Sequence, residues 1–272
     1  MTVHPAGGAL AIEGVSHTFV PEGRGTAVQA LAGSDVRFAP GEFFSVIGPS
    51  GCGKSTLLEI VAGLLPATAG RVTFEGREVR GEVPDGVGIV FQDDASFPWL
   101  TVWDNVAFGL RRRGADAADV QKRVDYALRF VGLADFARHY PRQLSGGMRQ
   151  RVCIARTLVL EPRLILLDEP FGALDQQTRL VMGEELLRLW RETGATVVLI
   201  THSLDEAAML SDRIGVMSAR PGRFIETIPT GWPRDRDSRV VNDSRFGELT
   251  AAMWSHLRTE SMRSIGAAYP NG

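Results

Sequence analysis

The run Gly48-Pro49-Ser50-Gly51-Cys52-Gly53-Lys54-Ser55 satisfies the spacing G-x-x-x-x-G-K-[ST]. Glycines so placed let backbone N–H groups close around phosphate oxygens, and the start of a following helix adds positive potential. Lys54 would reach the outer phosphates, the Ser55 hydroxyl is a candidate magnesium ligand, and Thr56 joins the candidate nucleotide-binding positions. A glycine-rich turn with a chance lysine is the plainer alternative. The context speaks against it, because residues 43–47 read as a short buried strand and residues 55–65 as a helix ended near Pro66.

A second constellation is Leu164-Ile165-Leu166-Leu167-Asp168-Glu169, two carboxylates at the end of an apolar strand, where an α/β sheet presents ligand-facing residues. Asp168 is the candidate magnesium holder, mostly through water, and Glu169 the group placed to take a proton from an attacking water. Strand-end acids facing solvent would look the same in isolation. Beside Lys54 and Ser55 the pair reads as a Walker B arrangement.

Leu144-Ser145-Gly146-Gly147-Met148-Arg149-Gln150 opens a helical run through Leu158, which offers a second helix start with exposed amides at Ser145, Gly146 and Gly147. With these three motifs in this order, residues 10–228 resemble the ATP-binding cassette family, whose signature Leu-Ser-Gly-Gly-Gln stands here with Met148 in the final position. The resemblance implies that this signature faces the nucleotide of a second copy, so that Ser145 and Gly147 touch a γ-phosphate in trans and two sites lie at one interface. It also assigns Gln92 as a magnesium-sensing glutamine joining core to lobe, and His202 of Ile200-Thr201-His202 as the switch histidine. Asp175 of Gly172-Ala173-Leu174-Asp175 becomes the residue communicating between sites. Phe19 falls where the family stacks an aromatic on adenine, although core packing explains it equally well.

Within that family, the segment from Phe97 to Val106 and Ser218-Ala219-Arg220-Pro221-Gly222-Arg223 look like ATPases of bacterial nitrate, sulfonate and taurine importers. The implied partners are a second copy, separate transmembrane permease subunits and, indirectly, a solute-binding protein; ATP and Mg2+ are the implied ligands. Phe97, Trp99 and Trp103 are read as a groove for a short helix of the membrane subunit, or as a buried hinge. The alternative function is a soluble ATP-driven clamp acting on nucleic acid or ribosomes. Such relatives carry two cassettes or a long coiled-coil insertion, and neither is present. A P-loop kinase would leave the signature unexplained.

Positioning these residues requires a particular set of elements. Strands are expected at 10–20 and 36–47, around a turn at 21–25, and again at 87–91, 164–167 and 196–200, with helices following in the rhythm of a parallel sheet. Residues 93–150 read as an inserted helical lobe, with apolar residues at helical spacing through 120–130. The fold class is α/β, and the resemblance implies a P-loop NTPase core with a mostly parallel sheet and an antiparallel β subdomain on the N-terminal side. Residues 229–272 are expected to be an accessory tail with a helix near 246–258.

Bulk properties agree with this picture. The 272 residues suffice for a full core, 44% hydrophobic and 23% charged is ordinary for a globular protein, and a net charge of -2 gives no argument for nucleic acid. Two cysteines without ligand spacing fit a reducing compartment. No apolar run approaches the roughly 20 residues of a membrane span, and residues 1–10 show no secretion signal. The expected location is the cytoplasmic face of the cell membrane, held there by partners.

Overall fold

The computed structural model describes residues 7–268 apart from 22, 24 and 94, and the side chains of 265–268 are left out. Expectations for residues 1–6, part of the turn at 21–25 and the last four residues of the tail fall outside the described residues.

A six-stranded sheet runs in the order β10-β9-β3-β8-β7-β6. Its centre is built from β3 (Phe43–Ile47), β7 (Leu164–Asp168) and β8 (Thr196–Ile200), buried at every position. That explains their unbroken apolar sequence: both faces of a parallel sheet are covered. β6 (Val87–Val90) and β9 (Arg213–Met217) flank them in parallel, and β10 (Phe224–Pro229) closes the edge antiparallel. Successive residues feed opposite cores. Phe43, Ile47, Ile165, Leu167, Val197 and Leu199 face one; Phe44, Val46, Leu164, Leu166, Val198 and Ile200 face the other.

The second core is shared with an antiparallel sheet of order β2-β1-β4-β5, formed by β1 (Leu10–Phe19), β2 (Val28–Phe38), β4 (Ala69–Phe74) and β5 (Arg77–Glu78). The strand stretch expected over 36–47 divides between two sheets: residues 36–38 end β2, and 43–47 form β3 as the short buried strand expected there. The break falls at residues 39–42, where Gly41 takes φ 73°. Helix α1 (Lys54–Val61) stops before Pro66 because Gly63 turns left-handed at φ 76°. Gly63 N–H then donates to Ile60 O at 3.1 Å and Leu64 N–H to Glu59 O at 2.9 Å, which satisfies the last carbonyls.

Between β6 and β7 lie α2 (Val102–Arg112), α3 (Ala117–Phe130) and α4 (Gly146–Leu158). Each start is capped by a side-chain oxygen, from Thr101, Asp116 and Ser145 respectively. The first core also takes in α5 (Gln176–Thr193), α6 (Leu204–Leu210) and α7 (Ser244–Ala268). Trp232, Phe246, Leu249, Met253 and Leu257, all beyond residue 228, are buried in it.

Candidate active site

Four neighbouring parallel strands each deliver a polar group from the same end. β3 runs into the glycine loop, β8 ends before Thr201 and His202, β7 ends in Asp168 with Glu169 next, and β6 is followed by Gln92. Together with the rim of the antiparallel sheet they enclose a cleft of about 650 Å³. It is lined by Ser50, Gly51, Gly53, Lys54, Ser55 and Thr56 on the loop side, by Gln92, Glu169 and His202 opposite, and by Phe19 at the rim. Val28, Ala30 and Arg220 complete the wall.

The loop's shape depends on its glycines. Gly53 caps α1 at φ 108°, and a Cβ there would lie 2.8 Å from Ala30 O and 2.9 Å from the Leu31 side chain. Gly48 is packed on Cys52 and Met217. Lys54 is 8% exposed and donates from Nζ to the carbonyls of Gly48 at 2.8 Å and Pro49 at 3.0 Å, which wraps the loop around its own ammonium. Burial pushes the Cys52 thiol up, so it stays protonated despite the neighbouring Lys54 charge. Cys52 is in no disulfide.

Asp168 is 7% exposed, and its Oδ1 is buried with no hydrogen-bond partner. Burial pushes its carboxyl up; a hydrogen bond from Ser55 pulls it down, Glu169 raises it and Lys54 lowers it. An unpartnered carboxylate oxygen beside a serine hydroxyl is a pair of hard oxygen donors, the donor chemistry a small divalent cation takes. Among the described residues no three His, Cys, Asp or Glu side chains cluster as a metal cage, so water and phosphate oxygens would complete such a shell.

Glu169 sits at φ 47°, an uncommon conformation for a side chain with a Cβ, fixed by its N–H donating to Ile200 O at 2.9 Å. The strained turn leaves its carboxylate at the cleft while Asp168 stays in the sheet. Glu169 Oε2 accepts from Gln92 Nε2 at 3.3 Å and lies 3.1 Å from His202 Nδ1. Such an arrangement can hold a water, take a proton from it and steady the anion that forms.

Ser145, Gly146, Gly147 and Asp175 do not line this cleft. Ser145 and Gly146 are exposed at the start of α4, and Ser145 Oγ accepts from Met148 N–H at 3.2 Å. Asp175 is exposed at the start of α5, accepting from Thr178 N–H at 2.9 Å and Oγ1–H at 2.6 Å, and the hydroxyl bond holds its carboxyl below the usual range. The two helix starts touch: a Cβ on Gly147 would lie 2.6 Å from the Leu174 side chain.

The aromatic grouping differs from the expected one. Phe97 stacks on Trp99 at 5.6 Å and meets Phe108 at 4.8 Å, with Arg156 over its ring. Trp103 instead donates to Asp125 and lies under Arg111. α2 turns it to another side, a consequence of helical spacing between positions 103 and 108. Asn105, fully buried, donates to the carbonyls of Phe97, Leu100 and Thr101 and holds the aromatic loop in place. Arg220, Val28 and Ala30 were not anticipated at the cleft. Arg220 stood in a motif noted only for its resemblance.

The profile of the ABC transporter family matches residues 31–172. An uncharacterized ABC transporter ATP-binding protein of Methanocaldococcus jannaschii is 44% identical over 259 residues, covering 94% of each chain. The taurine import ATP-binding protein TauB of Jannaschia sp. is 49% identical over 216 residues, 79% of this chain and 80% of its own. Among solved structures, an ATP-binding cassette dimer in a post-hydrolysis state with ADP and Pi superposes with a TM-score of 0.74 at 33% identity, covering 82% of this chain and 100% of that one. Identity at this level, across nearly the whole chain and on a shared fold, settles the matter that the strand-end residues raised: the chain belongs to the ABC transporter family.

Proposed function

We propose that the chain is the ATP-hydrolysing subunit of an importer, and that two copies sandwich two ATP molecules between Lys54 of one and Ser145 and Gly147 of the other. The observation that carries this reading is the convergence of Gln92 and His202 on Glu169 Oε2, at a cleft floored by the phosphate loop. The exposed helix start at Ser145, lying outside its own chain's cleft, favours completion by a second copy, as does the dimeric cassette among the structural neighbours.

In this reading the loop amides and Lys54 bind the phosphates, and Phe19 stacks on adenine. Ser55 and Asp168, together with Gln92, would hold magnesium, which would supply neutralisation of phosphate charge. Glu169 takes a proton from water as its oxygen bonds to the γ-phosphorus and the bond to the bridging oxygen breaks, releasing ADP and phosphate. His202 orients that water and steadies the transferring group. Asp175 links the two sites.

Closure of the pair would pull on transmembrane subunits carried on other chains. The patch of exposed Trp99 and Phe108 around half-buried Phe97 supports a docking face for them. No helix among the described residues is long and apolar enough to cross a membrane, which fits attachment at the cytoplasmic face through such partners. The relatives named for taurine import favour taurine among the expected small solutes, which also include nitrate and sulfonate; a solute-binding protein would deliver it.

The test is to tag the full chain carrying Glu169→Gln and recover it from detergent-solubilised membranes with Mg-ATP. A multi-span partner is the expected result. Recovery with ribosomes or nucleic acid instead would overturn the importer reading.

A further inference from the structure

Arg220 stands between the cleft and a second cavity of about 690 Å³, which is bounded by Ser50 and Gly51 on one side and by Glu260 and Arg263 of α7 on the other. Its guanidinium donates from Nε at 3.0 Å and Nη2 at 2.8 Å to the carbonyl of Gly51. The N–H on the same peptide unit, that of Cys52, donates to Pro49 O at 3.3 Å. A trans peptide carries its C=O and N–H on opposite edges, so these bonds hold the 51–52 unit from both sides. Gly51, at φ 70°, offers no side chain to restrict that unit.

The segment bearing Arg220 is itself held. Gly222 lies backbone to backbone on Cys52, where a Cβ would come within 2.0 Å of Cys52 O. Its N–H donates to Ala30 O at 2.8 Å, and its carbonyl accepts from Ala32 N–H at 2.9 Å. On the other flank, Ala219 N–H donates at 2.8 Å to Oε2 of Glu260, a carboxylate only 4% exposed whose Oε1 accepts from Arg263 at 2.6 Å. A continuous path of hydrogen bonds and one covalent step therefore runs from the tail helix to the phosphate loop.

We propose that Arg220 is a positioning residue for the phosphate loop and that Glu260 sets its placement, so that the tail helix tunes nucleotide affinity. The proposal rests on the reading that residues 48–55 bind ATP phosphates. Freed of Arg220, the 51–52 unit rotates, and the loop amides must be ordered at the moment of binding. The loss falls on affinity, whereas Glu169, Gln92 and His202 keep their arrangement.

The experiment uses the full chain and measures equilibrium binding of a fluorescent ATP analogue together with phosphate release. Arg220→Ala is expected to raise Kd and KM about tenfold, the scale of a lost charge-assisted hydrogen bond, with a much smaller change in kcat. Arg220→Lys, whose ammonium can keep one charge-assisted hydrogen bond to the Gly51 carbonyl, recovers part of the loss. Glu260→Ala raises Kd about threefold, Glu260→Gln, which keeps an acceptor, less so, and Arg220→Ala with Glu260→Ala is no worse than Arg220→Ala alone. Binding by Arg220→Ala equal to that of the parent, or additive losses in the double variant, overturns the relay. Lys54→Ala separates the two ideas: if it abolishes binding while Arg220→Ala binds as the parent does, the relay alone fails, and if Lys54→Ala itself binds normally the phosphate-loop reading falls and takes the relay with it.

Discussion

Nδ1 of His202 lies 3.1 Å from Oε2 of Glu169, bringing together the residues that follow strands β8 and β7. A carboxylate oxygen accepts, so in this pairing Nδ1 would be the donor, and in the proposed reading Nε2 would face the nucleotide. Replacing Glu169 by Gln removes the proposed proton acceptor while keeping the shape. Turnover is expected to fall by about 10² to 10⁴, with ATP binding retained. Phosphate release and nucleotide binding measured on the same preparation check it, and undiminished release would remove Glu169 from the role.

Gly53→Ala tests the loop's dependence on a left-handed cap. At φ 108°, with Ala30 O 2.8 Å from where the Cβ would stand, the methyl must displace either α1 or β2. Strain of this kind costs about 1 to 3 kcal/mol, a fall in Tm of about 2 to 10 °C for a chain of this size, accompanied by weaker nucleotide binding. An unshifted melting curve would show that the loop has more room than the contacts allow.

Phe19 is 44% exposed, its ring edge-to-face with His17 at 4.5 Å. Stacking on a base contributes about 0.5 to 1.5 kcal/mol, so Phe19→Ala should weaken ATP about 2- to 12-fold. Tripolyphosphate, which has no base, should be affected far less. Equal losses for both ligands would assign the ring to packing.

Glu206 is buried beneath the histidine loop, accepting from Thr201 Oγ1–H at 2.6 Å and pairing with Arg179 at 3.2 Å. Burial pushes its carboxyl above the ordinary glutamate value, against the pull of Thr201, Arg179 and His202 and with the push of Glu169. A folded pKa above the unfolded one means that this group's contribution is full below the unfolded value, about pH 4.3, and is lost as pH rises through the folded value. The stability of the parent chain relative to Glu206→Gln should therefore decline as pH rises from about 4 toward neutrality. Denaturant unfolding across that range checks the sign, and a rising difference would contradict it.

What could be read from the sequence was local. The phosphate loop, the acid pair and the signature are contiguous because each builds one strand end or one helix start. β3, β7 and β8 announce themselves as unbroken apolar runs because both their faces are covered. β2 was harder: Val28–Phe38 mixes exposed and buried positions, and its pairing with β1 is interrupted by irregular register. With it went Val28 and Ala30 at the cleft. Arg220 acts on Gly51, 169 residues away, a relation that only the sheet crossover creates. The full extent of α7 was hidden too, since its buried residues repeat sparsely among exposed ones.

The burial of Phe246, Leu249, Met253 and Leu257 against the cassette has a practical meaning. α7 packs on α6 and β9, covering surface formed by fully buried residues such as Leu210 and Val216. A chain cut back after residue 228 would open that greasy seam to water at the sheet's flank. Its first failing would be insolubility, appearing as aggregation at expression before any enzymatic step could be assayed.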